Sequence, residues 1–293
     1  MKLAFSTNAF KKYSLNESIK MIRKIGYEGV EILCDIPHAY PPYLREEDIV
    51  SVKETISKNG LEVSNLNAFT LYAITDVYHP SWIERDGQLR QLRVEHTNNC
   101  LNLARRIGAK NISTEPGGPI KTHDNKNINF DSKRNSSNNN NTQVMNDLFI
   151  EGISRCAEIA KIYGVKVLVE PEPGLLIENS EQFLTFVKKI NSDEVGLNFD
   201  MGHFFCVRED PAELIYRLAR YIGHFHLADI SNTRVHNHLI PGHGAIDFVS
   251  IFKAISEINY NGFITVELYP YQDDPFSAAK MSYKYLSNII EKL

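Results

Sequence analysis

The sequence lacks the features that would place it in several specialised classes of protein. No run of about 18 apolar residues could span a membrane, and the first residues contain no apolar core of signal-peptide length. The formal net charge of −4 argues against a general nucleic-acid binder. Neither a glycine-rich phosphate loop nor a cluster of basic residues is present, which disfavours a phosphorylated substrate. We therefore expect neither a membrane nor nucleic acid among the partners.

Cysteine is scarce, and the few cysteines are scattered. No two of them form a close pair in the sequence, which argues against a disulfide framework and against a structural zinc site with cysteine ligands. Reduced thiols of this kind indicate a cytoplasmic protein. The four are Cys34, Cys100, Cys156 and Cys206.

Strand-like and helix-like segments alternate along all 293 residues. The predicted strands are Leu3–Ser6, Gly29–Leu33, Leu61–Leu66, Asn111–Thr114, Lys166–Glu170, Val195–Phe199, Gly223–Leu227 and Phe263–Leu268. The predicted helices are Leu15–Ile25, Glu46–Lys58, Glu84–Ile107, Asp147–Tyr163, Ser180–Lys189, Pro211–Tyr221, Asp247–Ile258 and Pro275–Glu291. This alternation predicts an α/β protein with a single (β/α)₈ TIM barrel over residues 1–293. A doubly wound open sheet is the alternative, because periodicity alone does not show closure.

Two polar segments interrupt the alternation. Lys121–Thr142 is rich in asparagine, serine and lysine and cannot bury enough apolar surface to fold alone. We expect it to be a mobile insertion loop after the fourth strand. Ser231–Gly244 is a long loop with several histidines, and it follows the seventh strand on the face where barrel active sites lie.

Acidic and histidine side chains stand at the ends of the last four predicted strands. These residues are Glu170, Asp200, His226 and Glu267. Taken singly, each has a structural alternative, as a salt-bridge partner, a loop cap or a buried core histidine. In a barrel, however, the carboxyl ends of all strands meet on one face. Three carboxylates and one imidazole predict a site for one divalent metal ion, with Mn²⁺ favoured and Mg²⁺, Co²⁺ or Zn²⁺ as alternatives.

Two glutamates beside one metal indicate proton transfer. A C–H bond next to a carbonyl held on the metal is acidified, because the developing enediolate is stabilised. Glu170 could remove that proton and Glu267 could return it, or the reverse. If the proton returns to the opposite face of the same carbon, the outcome is epimerisation, and if it returns to the neighbouring carbon, the outcome is isomerisation. If a β-hydroxyl leaves instead, the outcome is dehydration. The presence of these residues is compatible with all three reactions.

Several motifs resemble the xylose isomerase-like TIM barrel superfamily, in particular its sugar isomerase/epimerase branch. The similarity spans nearly the whole chain and is greatest to ketose 3-epimerases and fructoselysine 3-epimerase. The matching segments are Gly26–Ile32, Pro37–Tyr40, Val169–Pro171, Phe199–His203, His224–Asp229, Pro241–Gly244 and Thr265–Leu268.

The resemblance implies a role for each site residue. Glu170 and Glu267 would be both metal ligands and acid/base groups, and Asp200 and His226 would complete the metal shell. The implied partner is a small sugar or polyol ketone, and the implied assembly is a homo-oligomer. The side chains that the resemblance places against the substrate are His203, Arg234, His38 and Glu172.

Three other functions compete with this interpretation. Dehydratases of inososes or of 3-dehydroshikimate use the same kind of site. A non-catalytic barrel that binds metal or sugar is the second alternative, although a binding module needs no pair of facing bases. The third is DNA repair of the endonuclease IV type, which needs extra histidines at the third and fourth strands, where this chain has Asn65, Asn67 and Glu115.

Overall fold

Eight parallel strands close into a barrel in the computed structural model, which describes residues 1–118, 120–121, 127–128 and 138–293. Each strand pairs with its neighbours in sequence, and β1 pairs with β8 to close the ring, with Lys2 opposite Phe263. The predicted (β/α)₈ barrel is therefore confirmed, and the open sheet is excluded. The strands are β1 Lys2–Ser6, β2 Gly29–Leu33, β3 Glu62–Asn67, β4 Asn111–Thr114, β5 Lys166–Val169, β6 Val195–Asp200, β7 Ile222–Leu227 and β8 Phe263–Val266.

The helices surround the barrel, and side-chain caps fix where several of them begin. Ser14 and Glu17 form a reciprocal capping box at the start of α1. Asp210 accepts the amide of Ala212 at 2.8 Å, just before a proline in the first turn of α7. The helices are α1 Leu15–Ile25, α2 Glu46–Lys58, α3 Gly87–Ile107, α4 Asn138–Tyr163, α5 Ser180–Ile190, α6 Met201–Cys206, α7 Pro211–Leu218, α8 Phe248–Glu257 and α9 Pro275–Ile290.

Two helices begin three or more residues away from their predicted starts, and one short helix is additional. Helix α3 begins at Gly87 rather than Glu84, because the Asp86 side chain caps it by accepting the amide of Gln88 at 2.8 Å. Helix α4 begins at Asn138 rather than Asp147, and its early turns contain a side-chain bond from Gln143 to Asp147. The short helix α6 was not predicted, since its six residues are too few for a periodic signal.

Most of the predicted mobile loop, Lys121–Thr142, lies outside the described residues. Within and beside it, Ile120–Lys121 pairs antiparallel with Asn127–Ile128, and the residues from Asn138 onward belong to α4. The mobility of this segment stays a prediction. In the described part of the chain, no helix has both the length and the apolar character that crossing a membrane requires.

The barrel interior carries a layer of polar side chains that bond to one another. Ser64 and Thr265 hydroxyls lie 3.0 Å apart across the barrel. Asn65 donates to Ser113 at 2.9 Å and accepts from Asn111 at 2.7 Å. Each of these side chains is buried. Because buried polar groups must be hydrogen-bonded, this layer forms a fixed platform beneath the carboxyl ends of the strands.

Candidate active site

The barrel brings the four predicted metal ligands together at the carboxyl ends of β5 to β8. Glu170 directly follows β5, Asp200 ends β6, His226 lies in β7, and Glu267 directly follows β8. Each offers one ligand atom, these atoms all lie within 4.8 Å of one another, and all four side chains are buried. Residues far apart in sequence thus form one candidate metal-binding site.

The chemistry of this cluster fits a cation. The Oδ2 atom of Asp200 is buried and has no hydrogen-bond partner among the described residues. A buried carboxylate oxygen without a partner carries a large desolvation cost, which a bound cation would offset. The other oxygen, Oδ1, accepts the backbone amide of His203 at 2.8 Å and so caps α6. Asp200 therefore has both the loop-capping role and a free oxygen for a metal.

Asparagine amides hold the two glutamates in place. Asn198 donates to Glu170 Oε2 at 2.7 Å, and Asn8 and Asn67 donate to Glu267 Oε1 at 2.8 and 3.1 Å. The second oxygen of each glutamate faces His226 Nδ1, at 3.0 Å from Glu170 Oε1 and 3.9 Å from Glu267 Oε2. Each glutamate thus has one oxygen fixed and one directed into the cluster.

Glu31, at the third position of β2, belongs to the site although it was not predicted to have a role there. It is fully buried, and its Oε2 lies 2.6 Å from His226 Nε2. Asn65 also donates to this carboxylate at 2.7 Å. In the neutral ring this contact makes Nε2 the protonated nitrogen of His226, which would leave the Nδ1 lone pair for a metal ion. Histidine ligands in metal sites are commonly oriented by such a carboxylate. A charge inside an apolar strand was the sequence signal for Glu31.

Changing Glu31 to glutamine should weaken metal binding by about 10- to 100-fold, because the imidazole loses the carboxylate that sets its tautomer and orientation. The measurement is a competition titration with a chromophoric chelator. The matched control is Glu28→Gln, an exposed glutamate just before the same strand, which should bind metal like the wild type. Equal affinities in the wild type and Glu31→Gln would contradict the orienting role.

Burial and neighbouring charges shift the pKa values in this cluster. Burial, with the Glu170 and Glu31 carboxylates, raises the pKa of Glu267 to about 8, against the opposing effect of His226. Burial alone would lower the pKa of His226, but the surrounding carboxylates, Glu170 first among them, hold it well above the usual range. Without a metal at neutral pH, both groups therefore carry protons.

Metal binding should consequently release protons. Ligation requires the ionised carboxylate and the neutral imidazole, so at pH 7 on the order of one or two protons should leave per cation bound. The apparent affinity should rise with pH as Glu267, whose pKa is about 8, and His226, whose pKa is also raised, lose their protons. Calorimetry in two buffers of different ionisation enthalpy checks this. A binding enthalpy that is independent of the buffer would show that no proton is displaced.

A cavity of about 250 Å³ opens above the cluster. Of the four clustered residues, Glu170 and Glu267 line it, together with Glu172, Lys11 and polar side chains of the loops. Aromatic residues form much of its wall: Phe69, Tyr72, Tyr78 and Tyr269. A polar floor with an aromatic wall suits a small polyhydroxylated ligand.

Two of the four predicted substrate contacts lie at this cavity. Glu172 lines it and accepts the Tyr78 hydroxyl at 2.7 Å, and burial raises the pKa of its carboxyl to about 7. His203 also lines it, and its Nδ1 bonds to the Pro171 carbonyl at 2.8 Å. Both residues thus lie at the cavity, and their contact with a substrate stays a prediction.

The other two predicted substrate contacts lie elsewhere. Arg234 donates to the Phe205 carbonyl at 2.7 Å, and its guanidinium stacks 4.0 Å above the Phe205 ring. His38 bonds to the Tyr13 carbonyl at 3.1 Å and lines a separate groove beside α2. In both cases a backbone carbonyl holds the side chain away from the central cavity. The structure instead places His236 and His238 of the Ser231–Gly244 loop at the cavity.

The Pro241–Gly244 motif has a structural explanation. The buried carboxylate of Asp229 accepts the amides of Gly242 at 2.9 Å and Gly244 at 2.8 Å. A Cβ atom at Gly244 would lie 2.3 Å from that carboxylate, so the tight approach requires glycine. His243, between the two glycines, is exposed. Asp229 thus fixes the loop that carries the cavity histidines.

A sequence model described as xylose isomerase-like TIM barrel matches residues 19–289. The chain belongs to the xylose isomerase-like TIM barrel family. This confirms the resemblance that the motifs indicated.

One curated relative and two solved structures are similar to this chain. The inosose dehydratase of Geobacillus kaustophilus (strain HTA426) is 30% identical over 162 residues, which are 49% of this chain and 53% of the dehydratase. The chain thus matches about half the length of that relative. The crystal structure of a D-tagatose 3-epimerase-like protein has a TM-score of 0.76 at 24% identity, covering 100% of this chain and 99% of the other. The IOLI protein, crystallised with a binding zinc atom, has a TM-score of 0.77 at 20% identity, with coverage of 100% and 99%.

Proposed function

We propose that the protein is a divalent-metal-dependent sugar isomerase or epimerase that transfers a proton at the carbon next to a substrate carbonyl. The observation that carries the proposal is the position of Glu170 and Glu267. They come from β5 and β8, with β6 and β7 between them in the barrel. Both line the cavity, while one oxygen of each is fixed by amide donors. Two positioned carboxylates beside one substrate pocket supply a base and an acid for proton transfer.

The residues present would hold one cation through Glu170, Asp200, His226 and Glu267. When bound, a divalent cation would polarise a substrate carbonyl and acidify the adjacent C–H bond. Mn²⁺ is the ion we propose, because three of the four donors are carboxylates. A zinc atom in the IOLI structure supports a divalent ion at this type of barrel.

The protein side chains account for the proton movement. One glutamate accepts the proton from the substrate carbon, and the other delivers a proton to the opposite face or to the neighbouring carbon. Glu170 and Glu267 are themselves nearly buried, so little bulk water reaches the carboxylates that would move the proton. Glu172 and His203 at the cavity wall are placed to bind substrate hydroxyls.

Dehydration is the second candidate function, favoured by the match to an inosose dehydratase over half the chain. The same two glutamates would then remove a proton and protonate a departing β-hydroxyl. One experiment distinguishes the two functions: proton NMR in deuterium oxide with Mn²⁺ and a panel of ketoses and cyclic polyol ketones. Deuterium at the carbon next to the carbonyl together with a new epimer or isomer supports the proposal. An enone product would assign a dehydratase, and the absence of both deuterium exchange and any product across the panel would overturn both functions.

A further inference from the structure

Lys11 places a basic group at the cavity above the candidate metal cluster. It lies in the loop between β1 and α1, and its side chain is partly buried. Among the described residues that line the cavity, it is the one lysine or arginine. The acidic side chains Glu170 and Glu267 lie at the floor. The cavity thus combines a carboxylate floor with one ammonium in its wall.

No side chain in the described part of the protein neutralises this ammonium. The Lys11 Nζ atom lies 5.0 Å from the centre of the Tyr72 ring, and it forms no hydrogen bond or salt bridge with a described residue. Burial lowers the pKa of Lys11, although the carboxylates of Asp35 and Glu267 act in the opposite direction. Removing an unpaired charge from water is costly, so an anionic ligand group beside Lys11 would offset that cost.

Asp35 has the largest electrostatic effect on Lys11 among the acidic residues, but its carboxylate is bound elsewhere. This buried carboxylate accepts the Thr70 hydroxyl at 2.7 Å, the backbone amide of Ala73 at 2.9 Å and the amide of Tyr72. Both of its oxygens therefore already have donors. These bonds also fix the loop whose tyrosine lies under the lysine, so the ammonium stays at the cavity and is available to a ligand.

The surroundings of Lys11 indicate the kind of anion that would bind it. One ammonium balances the single charge of a carboxylate, whereas phosphate is usually held by several donors from a helix start or a glycine-rich loop. The sequence has neither such a loop nor a cluster of basic residues. Glu267 is close enough to affect the charge of Lys11, so one small molecule can contact both residues.

We propose that Lys11 selects a substrate that carries a carboxylate, which makes the substrate class a sugar acid rather than a neutral sugar. The carboxylate would accept a charge-assisted hydrogen bond from Nζ while the carbonyl end of the molecule lies at the glutamates. A neutral hydroxyl can also accept from Lys11, but it leaves the positive charge without a counter-ion. This inference rests on the proposed function, because it takes the cavity as the substrate site.

The test uses sugars that differ only at the terminal carbon farther from the carbonyl. D-fructose has a hydroxyl there, D-fructuronate a carboxylate and D-fructose 6-phosphate a phosphate. Their affinities for the full-length protein are measured by calorimetry with and without Mn²⁺. We expect D-fructuronate to bind about 10- to 100-fold more tightly than D-fructose, the usual effect of a hydrogen bond between charged groups. D-tagatose and D-tagaturonate repeat the comparison with the other configuration at one hydroxyl carbon.

Substitutions of Lys11 and of its neighbour separate the effect of charge from that of packing. Lys11→Met removes the ammonium and keeps most of the side-chain length, so it should bind the acid and the neutral sugar alike. Lys11→Arg keeps the positive charge and should keep most of the preference. The matched control is Lys12→Met, because Lys12 is exposed and pairs with the exposed Asp273. This control should show the same preference as the wild type.

Several results would overturn the proposal. They are equal affinities of the wild type for D-fructose and D-fructuronate, no detectable binding of either uronate, and a preference that survives in Lys11→Met. Tighter binding of D-fructose 6-phosphate than of D-fructuronate would overturn the assignment to a carboxylate. Because affinity is measured apart from turnover, failure of this inference differs from failure of the proposed function. Proton exchange on neutral ketoses without a preference for acids would refute the inference alone, and a preference that depends on Lys11 without exchange on any ligand would refute the function alone.

Discussion

Glu267→Gln should lower turnover by about 10²–10⁴-fold, the usual cost of removing a general base or acid. Glutamine keeps the size of the side chain and one oxygen, and the amides of Asn8 and Asn67 that donate to Oε1 can still bind it. What disappears is the carboxylate that carries the proton. Glu170 is unchanged, so exchange of the substrate proton with deuterium should continue on one face while net epimerisation stops.

The measurement is NMR of the reaction in deuterium oxide, following solvent exchange and product formation together. Glu267 is also a proposed metal ligand, so the metal content of the variant is determined first and activity is compared at full loading. Glu170→Gln is the reciprocal variant and should lose proton exchange on the face where Glu267→Gln retains it. Turnover like that of the wild type in metal-loaded Glu267→Gln would rule out the two-glutamate mechanism.

Substitution of Asp200 should remove the metal, with a loss of affinity of at least about 100-fold. Alanine and asparagine test different parts of this residue. Asp200→Ala deletes the ligand and the cap of α6, so it should also reduce the free energy of unfolding by about 0.5–2 kcal/mol. Asp200→Asn keeps an oxygen that can accept the His203 amide but lacks the negative charge. It should therefore lose metal while keeping most of the stability.

Metal analysis and thermal unfolding of the metal-free variants separate the two effects. His226→Ala should lose metal as well, without any change to the α6 cap. Full metal occupancy in both Asp200→Asn and His226→Ala would show that the cation does not bind at the ends of β6 and β7.

The fold and the four clustered residues were predictable from sequence for a simple physical reason. The different periodicities of strands and helices allow their alternation to be predicted from sequence, and in a parallel barrel the carboxyl ends of all strands lie on one face. Glu170 and Glu267 could thus be placed together without knowledge of their contacts. The observed strand boundaries differ from the predicted ones by one or two residues. The four clustered residues nevertheless lie at the strand ends, as predicted.

The supporting residues could not be predicted in the same way. Asn8 and Asn198 are ordinary polar residues in sequence, and only the closed barrel shows that their amides hold the glutamates. Arg234 was predicted at the substrate because of its place in the chain. Its guanidinium instead stacks on Phe205 and bonds to a carbonyl, and a tertiary contact of this kind leaves no periodic signal.

The contrast between the floor and the wall of the cavity bears on how this barrel can change its substrate during evolution. Buried floor side chains such as Asn65 and Asn198 donate hydrogen bonds to the site carboxylates, so altering one leaves a buried group without its partner, at a cost of about 1–3 kcal/mol. The wall residues Tyr72 and Tyr269 are 44% and 38% exposed and belong to loops. Substitutions there carry little penalty for folding. New substrate ranges can therefore arise through the loops after β3 and β8, while the reaction chemistry is inherited unchanged from the strand ends.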